Sequence, residues 1–301
     1  MSFSVSIIPI LAGAMAAMTP LLFAALGGLF TELTGMLNIA LEGLMAIGAF
    51  FGLIGAAATG SLAAGAAIGV LASCLVALLY GWITLRFKAN EFITGLATNL
   101  LASGLTVVLS QQLFRTKGVV PFTLPHLPVI TKGLAEVPVL GPVFFGQNIY
   151  AQLSWLTVLV AWVIIRRTAF GMRLRATGSN ARAVAALGLK PASYRLAAIL
   201  MSGAACGLAG SYLSLNLSAY VPNISSGRGW IALVAIYLGG RKPAGILGAC
   251  FVFALAESYS NYAQGLFKVP SEVILAIPYA ATLLALVLGS LAKRAGKQGI
   301  R

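Results

Sequence analysis

Residues 62–85 read LAAGAAIGVLASCLVALLYGWITL, a run that carries no charged side chain and is apolar on every face of a helix. A helix of about 20 residues is long enough to cross the hydrocarbon layer of a membrane, which is about 30 Å thick. The strands of a membrane barrel would instead alternate apolar and polar residues over about ten positions. This stretch therefore predicts a transmembrane helix.

Similar apolar runs recur on both sides of this stretch. We predict nine spans, with the best boundaries at 7–30, 36–58, 62–85, 92–113, 149–165, 196–217, 229–240, 244–264 and 272–291. Hydrophobic residues make up 59% of the chain and charged residues 9%, against about 25% charged in a typical soluble domain. The sequence therefore predicts an all-α integral membrane protein, a single polytopic domain over residues 1–301 with about 8–10 helices.

The basic residues lie in the connectors between the apolar runs, which is typical of loops retained on the cytoplasmic side. The connector 166–195 is the most basic, and the turn at Arg86 and Lys88, the turn at Arg241 and Lys242, and the C-terminal tail carry further basic residues. The other long connector, 114–148, has few basic residues for its length and is predicted to be extracytoplasmic. Nine crossings place the N-terminus outside and the C-terminus inside.

The net charge of +14 invites a comparison with nucleic-acid-binding proteins. Those proteins carry a basic stripe on a solvated face, with aromatic side chains nearby for stacking on bases. Because the basic residues here are confined to the connectors and the C-terminal tail, we expect no nucleic-acid partner, and membrane lipid as the surroundings of the chain. The first 85 residues contain no Lys or Arg, which argues against a cleaved signal peptide.

Two of the spans contain glycine-rich interruptions, near Gly35 and near Gly239, and we predict broken or re-entrant helices at both places. Asn38 and Glu42 follow the first interruption and are four residues apart, so they share one helix face. An amide and a carboxyl group at membrane depth each need a partner, a cavity or a function. Such a broken helix is typical of a polar path through a membrane protein, although bonds between neighbouring helices would explain both residues equally well.

Three further residues complete the polar set. Asn99 lies inside the fourth span and could contact a polar solute, as could the aromatic side chain of Trp230. Glu91 begins the fourth span, where the helix dipole favours an acidic group. We therefore predict that the substrate pathway is lined by Asn38, Glu42, Asn99 and Trp230, and that Glu91 serves its own helix.

Motifs for catalysis are missing from the sequence. No GxxxxGK[ST] phosphate loop occurs, the chain contains no Asp, and it has a single His. These absences leave no site for binding ATP–Mg, for a histidine-based triad or for a zinc ion. We expect a protein that is not an enzyme and that binds no cofactor or metal.

Four segments together resemble a known family. They are LTGMLNIALEGLMAIGAF at 33–50, ANEFITGLATNLLASGL at 89–105, FGMRLRATGSNARAVAALGLKPASYRLAAILMSGAACGLAGSY at 170–212 and GRGWIALVAIYLGGRKPAGILGACFVFALAES at 227–258. In this order they are similar to the permeases of bacterial ABC importers for nucleosides and simple sugars. The LNIALEG form resembles the branch that works with BMP-type lipoproteins, within the wider ribose and branched-chain amino-acid permease family.

The resemblance implies partners. Such permeases sit in the cytoplasmic (inner) membrane with a second related permease, an ABC ATPase that binds ATP–Mg, and an extracytoplasmic binding protein or lipoprotein. The connector 166–195 would then be the cytoplasmic coupling loop, with a short coupling helix at 180–188. The residues expected to face the ATPase are Arg173, Arg175, Asn180, Arg182 and Gly188. The general excess of basic residues in cytoplasmic loops would explain the three arginines equally well.

The solute is less sharply defined than the family. The resemblance favours a purine or pyrimidine nucleoside, with a simple sugar such as ribose or galactose as the first alternative. In one respect the sequence departs from the family pattern, because GGRKPAG at 239–245 carries two basic residues before the proline. That change puts a solute-binding role of this turn in doubt. From another class, an ion-coupled secondary transporter would be self-sufficient, but the inverted repeat expected of one is not evident; a non-transporting scaffold is a third alternative.

Overall fold

The computed structural model describes the backbone of residues 3–129 and 141–266, and the side chains of residues 7–129 and 141–262. These parts of the chain are almost entirely helical. The helices are α1 Phe3–Leu33, α2 Leu41–Thr59, α3 Leu62–Arg86, α4 Glu91–Phe114, α5 Ile149–Arg167, α6 Ala169–Ser179, α7 Ala181–Ala186, α8 Pro191–Leu217, α9 Arg228–Leu238 and α10 Pro243–Leu266. A π-helical turn, Gly141–Phe145, precedes α5.

Within the described ranges, 7 helices are long and apolar enough to cross a membrane: α1 to α5, α8 and α10. This confirms the predicted polytopic helical membrane protein. The predicted span 229–240 corresponds to α9, whose 11 residues rise only about 16 Å at about 1.5 Å per residue and do not cross 30 Å of hydrocarbon alone. The predicted span 272–291 lies outside the described residues, so the count of nine stays a prediction.

Helix α2 is the most buried of the described membrane-length helices, and it packs against both α3 and α8, which also contact each other. The contact between α2 and α8 is close because glycines replace larger side chains on both helices. A Cβ atom on Gly210 would lie 2.0 Å from the carbonyl oxygen of Met45, and one on Gly48 would lie 2.7 Å from the Cα of Gly207. Small residues of this kind let the backbones of two helices approach each other in a membrane.

The chain between α1 and α2 is not helical, so the predicted interruption near Gly35 is present. Gly35 has a φ of 78°, a left-handed conformation that glycine adopts without steric cost. Beyond it, the backbone N–H of Leu37 donates to Oε2 of Glu91 at 2.9 Å, and that of Ala40 donates to Oδ1 of Asn38 at 3.0 Å. These side-chain acceptors replace helical hydrogen bonds, which explains why α2 begins at Leu41 rather than at the predicted residue 36.

The long connectors contain short elements that hold them to the bundle. In the connector 114–148, strand β1 (Val120–Pro121) pairs in an antiparallel manner with strand β2 (Ala219–Tyr220), which follows α8. The basic connector 166–195 is mostly helical, since it contains α6, α7 and the first turn of α8. Pro191 stands in that first turn, where the missing N–H of proline removes no helical hydrogen bond.

Candidate functional site

Two helices begin inside the bundle rather than at its ends. The break before α2 is tied to α8 by Asn38, whose Nδ2 donates to Oγ of Ser202 at 2.9 Å. Ser202 lies about 17 Å along α8 from Pro191, at about 1.5 Å per residue. The start of α9 packs against the start of α2, since a Cβ on Gly229 would lie 2.5 Å from the backbone nitrogen of Glu42. The N-termini of α2 and α9 therefore meet within the apolar depth of the bundle.

Glu42 caps the N-terminus of α9. Its Oε1 accepts a hydrogen bond from the N–H of Gly227 at 2.7 Å, and its Oε2 accepts one from the N–H of Gly229 at 2.7 Å. The N-cap residue of α9, Gly227, has no side chain with which to make these bonds. The first N–H groups of a helix have no partner within it, and a carboxylate is also favoured there by the helix dipole. The carboxylate is thus bonded to protein at both oxygen atoms.

Asn99 of α4 does the same for the start of α2. Its Oδ1 accepts from the N–H of Gly43 at 2.8 Å, and its Nδ2 donates to the carbonyl of Ile39 at 3.0 Å. Asn38 is buried and is bonded through both ends of its amide, to Ser202 and to the backbone of Ala40. The structure therefore brings Asn38, Glu42 and Asn99 together around one helix start, and each has protein partners there.

A small polar cavity adjoins this cluster. Its volume is about 40 Å³, and it is lined by Glu42, Gly43, Ala46, Asn99, Ser103, Thr106, Val107, Asn223 and Ser225. Sites for small molecules usually have volumes of about 300–1,000 Å³, so this conformation has room for a few water molecules but not for a solute. The cavity is a narrow gap between α2, α4 and the segment before α9, and most of the residues that line it are polar.

Trp230, the fourth residue of the predicted pathway, does not line this cavity. It lies in the first turn of α9, with its N–H bonded to Gly227, and 41% of its side chain is exposed. Ser103 and Thr106 line the cavity but were not predicted, although they follow Asn99 by four and seven residues and so share its helix face. That spacing could have revealed them, whereas Asn223 and Ser225 come from an irregular segment that has no periodicity to reveal its inward face.

Glu91 has a different partner from the one expected. The N-cap of α4 is Asn90, whose Oδ1 accepts from the N–H groups of Phe92 and Ile93. Glu91 instead reaches across to the interrupted segment and accepts from the N–H of Leu37. The carboxylate therefore stabilises the break before α2.

The end of the bundle that carries the basic connector has a larger cavity of about 530 Å³, whose lining includes Glu32, Glu91, Arg175, Gly178, Tyr237 and Arg241. Glu32 makes an ion pair with Arg241 at 2.6 Å and accepts from the hydroxyl group of Tyr237 at 3.0 Å. The turn after α9 thus lies at the same end as α6, so the two basic segments share one end of the bundle; that this end faces the cytoplasm stays a prediction.

The residues predicted to contact an ATPase lie on α6, α7 and the turn after α7. Asn180 caps α7, since its Oδ1 accepts from the N–H of Ala183 at 3.0 Å. Gly188 ends the turn after α7 with a φ of 79°. The side chain of Arg182 is exposed, and the exposed Arg173 reaches the hydroxyl group of Tyr194 at 3.3 Å. The arrangement presents a short, capped helix, α7, which carries the exposed Arg182 and contacts α6 and α8.

Comparison with known proteins gives consistent matches. The model of the family described as "Branched-chain amino acid transport system / permease component" matches residues 10–288. The guanosine ABC transporter permease protein NupQ of Bacillus subtilis is 34% identical, covering 89% of this chain and 87% of its own length. The nucleoside ABC transporter permease protein NupC of Lactococcus lactis is 31% identical, covering 90% and 88%. The putative glucose ABC transporter permease protein TsgC13 of Haloferax volcanii is 29% identical, covering 83% and 76%.

Proposed function

Because the chain belongs to the family of branched-chain amino acid transport system permease components, we propose that the solute it carries, as the permease subunit of an ABC importer, is a nucleoside. The chain is a multi-pass protein of the bacterial cytoplasmic membrane and is not itself an enzyme. The observation that carries the nucleoside assignment is the similarity, over about nine-tenths of the chain, to two permeases named for guanosine and nucleoside transport. A simple sugar is the second candidate, because the relative named for glucose is almost as similar.

The solute path runs along the polar cavity beside α2 in this proposal. Ser103, Thr106 and Asn223 offer hydroxyl and amide groups that suit the hydroxyls of a ribose and the edges of a base. Glu42 and Asn99 form the inner wall, and their backbone bonds hold the starts of α9 and α2 in place. The cavity must widen for a solute to pass, since its volume is about 40 Å³ in this conformation.

The partners follow from the same premise. An ABC permease component works with an ATPase, and we propose that this chain also pairs with a second related permease and receives its solute from an extracytoplasmic binding protein or lipoprotein. The surface for the ATPase is formed by the predicted coupling residues on α6 and α7. ATP–Mg binds to the ATPase, because the sequence of this chain contains no phosphate-binding loop.

The nucleoside assignment is tested by uptake. In cells that lack this gene, uptake of labelled guanosine should fall and should return when the gene is restored. Unlabelled nucleosides should compete with the label, whereas glucose and ribose should not. Unchanged guanosine uptake in the cells that lack the gene, together with a loss of labelled glucose or ribose uptake, would assign the chain to the second candidate. Accumulation driven by an ion gradient in vesicles that contain this chain alone would contradict both.

The coupling surface is tested by charge reversal. Arg182→Glu should reduce recovery of the ATPase with the solubilised permease, because an exposed cation at the predicted interface becomes an anion. Lys117→Glu is the matched control, since Lys117 is also exposed but lies in the other long connector. Equal recovery of the ATPase with both variants would remove Arg182 from the interface.

A further inference from the structure

The end of α6 rests directly on the end of α1. A Cβ atom on Gly178 would lie 2.3 Å from the carbonyl oxygen of Leu33 and 3.0 Å from the backbone nitrogen of Gly35. Contacts this short leave no room for any side chain at position 178. A displacement of the end of α6 toward α1 therefore moves the backbone of the interrupted segment that leads into α2.

Helix α6 is joined to α7 without a flexible connector. Its start is packed as tightly as its end, since a Cβ on Gly171 would lie 2.1 Å from the carbonyl oxygen of Ile164 in α5. Asn180 is both the last cap of α6 and the first cap of α7. Its backbone N–H donates to the carbonyl of Ala176, and its side chain accepts from the N–H of Ala183. A force on α7 thus reaches Gly178 within two residues of the shared cap Asn180, at the end of a helix whose other end is packed against α5.

Glu32, the residue before Leu33, connects the end of α1 to the end of α9 and the turn that follows it. The Glu32 side chain is only 11% exposed, and its two oxygens bind Arg241 at 2.6 Å and the hydroxyl group of Tyr237 at 3.0 Å. Tyr237 lies in the last turn of α9, and Arg241 lies in the turn that follows it. The other end of α9 is held by Glu42 at the candidate solute cavity.

We propose that Gly178 and Glu32 are the positioning residues that transmit movement of α7 to α9, and so link the ATPase surface to the solute cavity. The inference rests on the proposed function, because it assumes that an ATPase moves α7. Helix α9 rises about 16 Å between the two carboxylates, so a shift of Glu32 at one end alters the packing of Gly229 against Glu42 at the other. The coupling runs through backbone contact and paired charges.

The experiment measures solute molecules taken up per ATP hydrolysed in vesicles that contain the complete transporter. Gly178→Ala inserts a methyl group into the contact with Leu33, and Glu32→Gln weakens the hold on Arg241 while keeping the shape of the side chain. Each should lower this ratio about fivefold, at the lower end of typical coupling effects, with the ATPase still bound. Gly248→Ala is the matched control, since it makes the same change at a position where no atom of the described residues lies within 4 Å, and its ratio should stay within about twofold of wild type.

A double-mutant cycle separates one route from two independent defects. The combined variant should lower the ratio no further than the stronger single variant, because both act on the same connection. Ratios within about twofold of wild type for both single variants, or independent multiplication of their effects, would overturn the inference. If Gly178→Ala does not assemble, the cycle is run with Glu32→Gln and Tyr237→Phe, which removes the hydroxyl group that Glu32 binds. The same ratios then support or overturn the inference. A wild-type complex that shows no ATP-dependent uptake would contradict the proposed function instead.

Discussion

Replacing Glu42 by glutamine tests the bond between the starts of α2 and α9. The glutamine side chain retains one acceptor oxygen, but its NH₂ group cannot accept from the second backbone N–H. One of the two bonds at 2.7 Å, to Gly227 or to Gly229, is therefore lost. An unpaired buried N–H costs about 1–3 kcal/mol, and loss of a charge at a helix N-terminus costs about 0.3–2 kcal/mol. Glu42→Gln should destabilise the chain by roughly 3 kcal/mol.

The assay is the temperature at which half of the detergent-solubilised protein is still monodisperse after heating. At about 2 °C per kcal/mol, the midpoint of Glu42→Gln should lie about 6 °C below that of wild type. Glu91→Gln is the matched control, because within the described ranges Glu91 makes one hydrogen bond, to the N–H of Leu37, and the glutamine oxygen can retain it. Its midpoint should fall by about 2 °C or less.

The result that refutes this reasoning is a midpoint for Glu42→Gln equal to that of wild type. If uptake is then also lost, the carboxylate contacts the solute, and the capping bonds contribute little to stability. A lowered midpoint with a proportionate loss of uptake would support capping. Normal uptake by the assembled variant would remove Glu42 from the solute path.

Three further changes have expected outcomes that follow from the packing. Asn38→Ala removes a buried amide bonded at both ends and should lower the heating midpoint by about 2–6 °C, with no change if the break before α2 is held by other bonds. Gly210→Ala places a Cβ 2.0 Å from a backbone oxygen and should abolish the folded yield, whereas Gly104→Ala, which has no atom from the described part of the chain within 4 Å, should not. Equal yields would contradict the helix contact. Arg228→Ala leaves Glu257 without the ion-pair partner it has in the structure and should cost about 2 kcal/mol, part of which a second change, Glu257→Ala, should restore in a double-mutant cycle.

The helices were predictable because their signal is local. Long apolar runs predicted α1 to α5, α8 and α10, and the glycine at position 35 predicted the interruption before α2. The start of α2 was misplaced by five residues, since the acceptor that keeps Leu37 out of the helix is Glu91, 54 positions away. The helical content of the connector 166–195 was largely missed for a related reason. Helix α6 is stabilised by packing of Gly171 against α5 and of Gly178 against α1. These contacts cannot be predicted from a run of apolar residues.

The amino-acid sequence alone determined that this protein is a helical membrane permease, where most of its helices lie and which connector is basic. Hydrophobicity and charge act residue by residue on insertion into a membrane, so their pattern can be read along the chain. Only the tertiary structure decided what Glu42, Asn99 and Gly178 contact. The N–H of Gly227 that Glu42 binds is 185 positions away along the chain. The type of a polar residue does not indicate which distant backbone group it will bond to. Such partners are chosen when the helices pack, because each buried polar group must find a bond within the bundle.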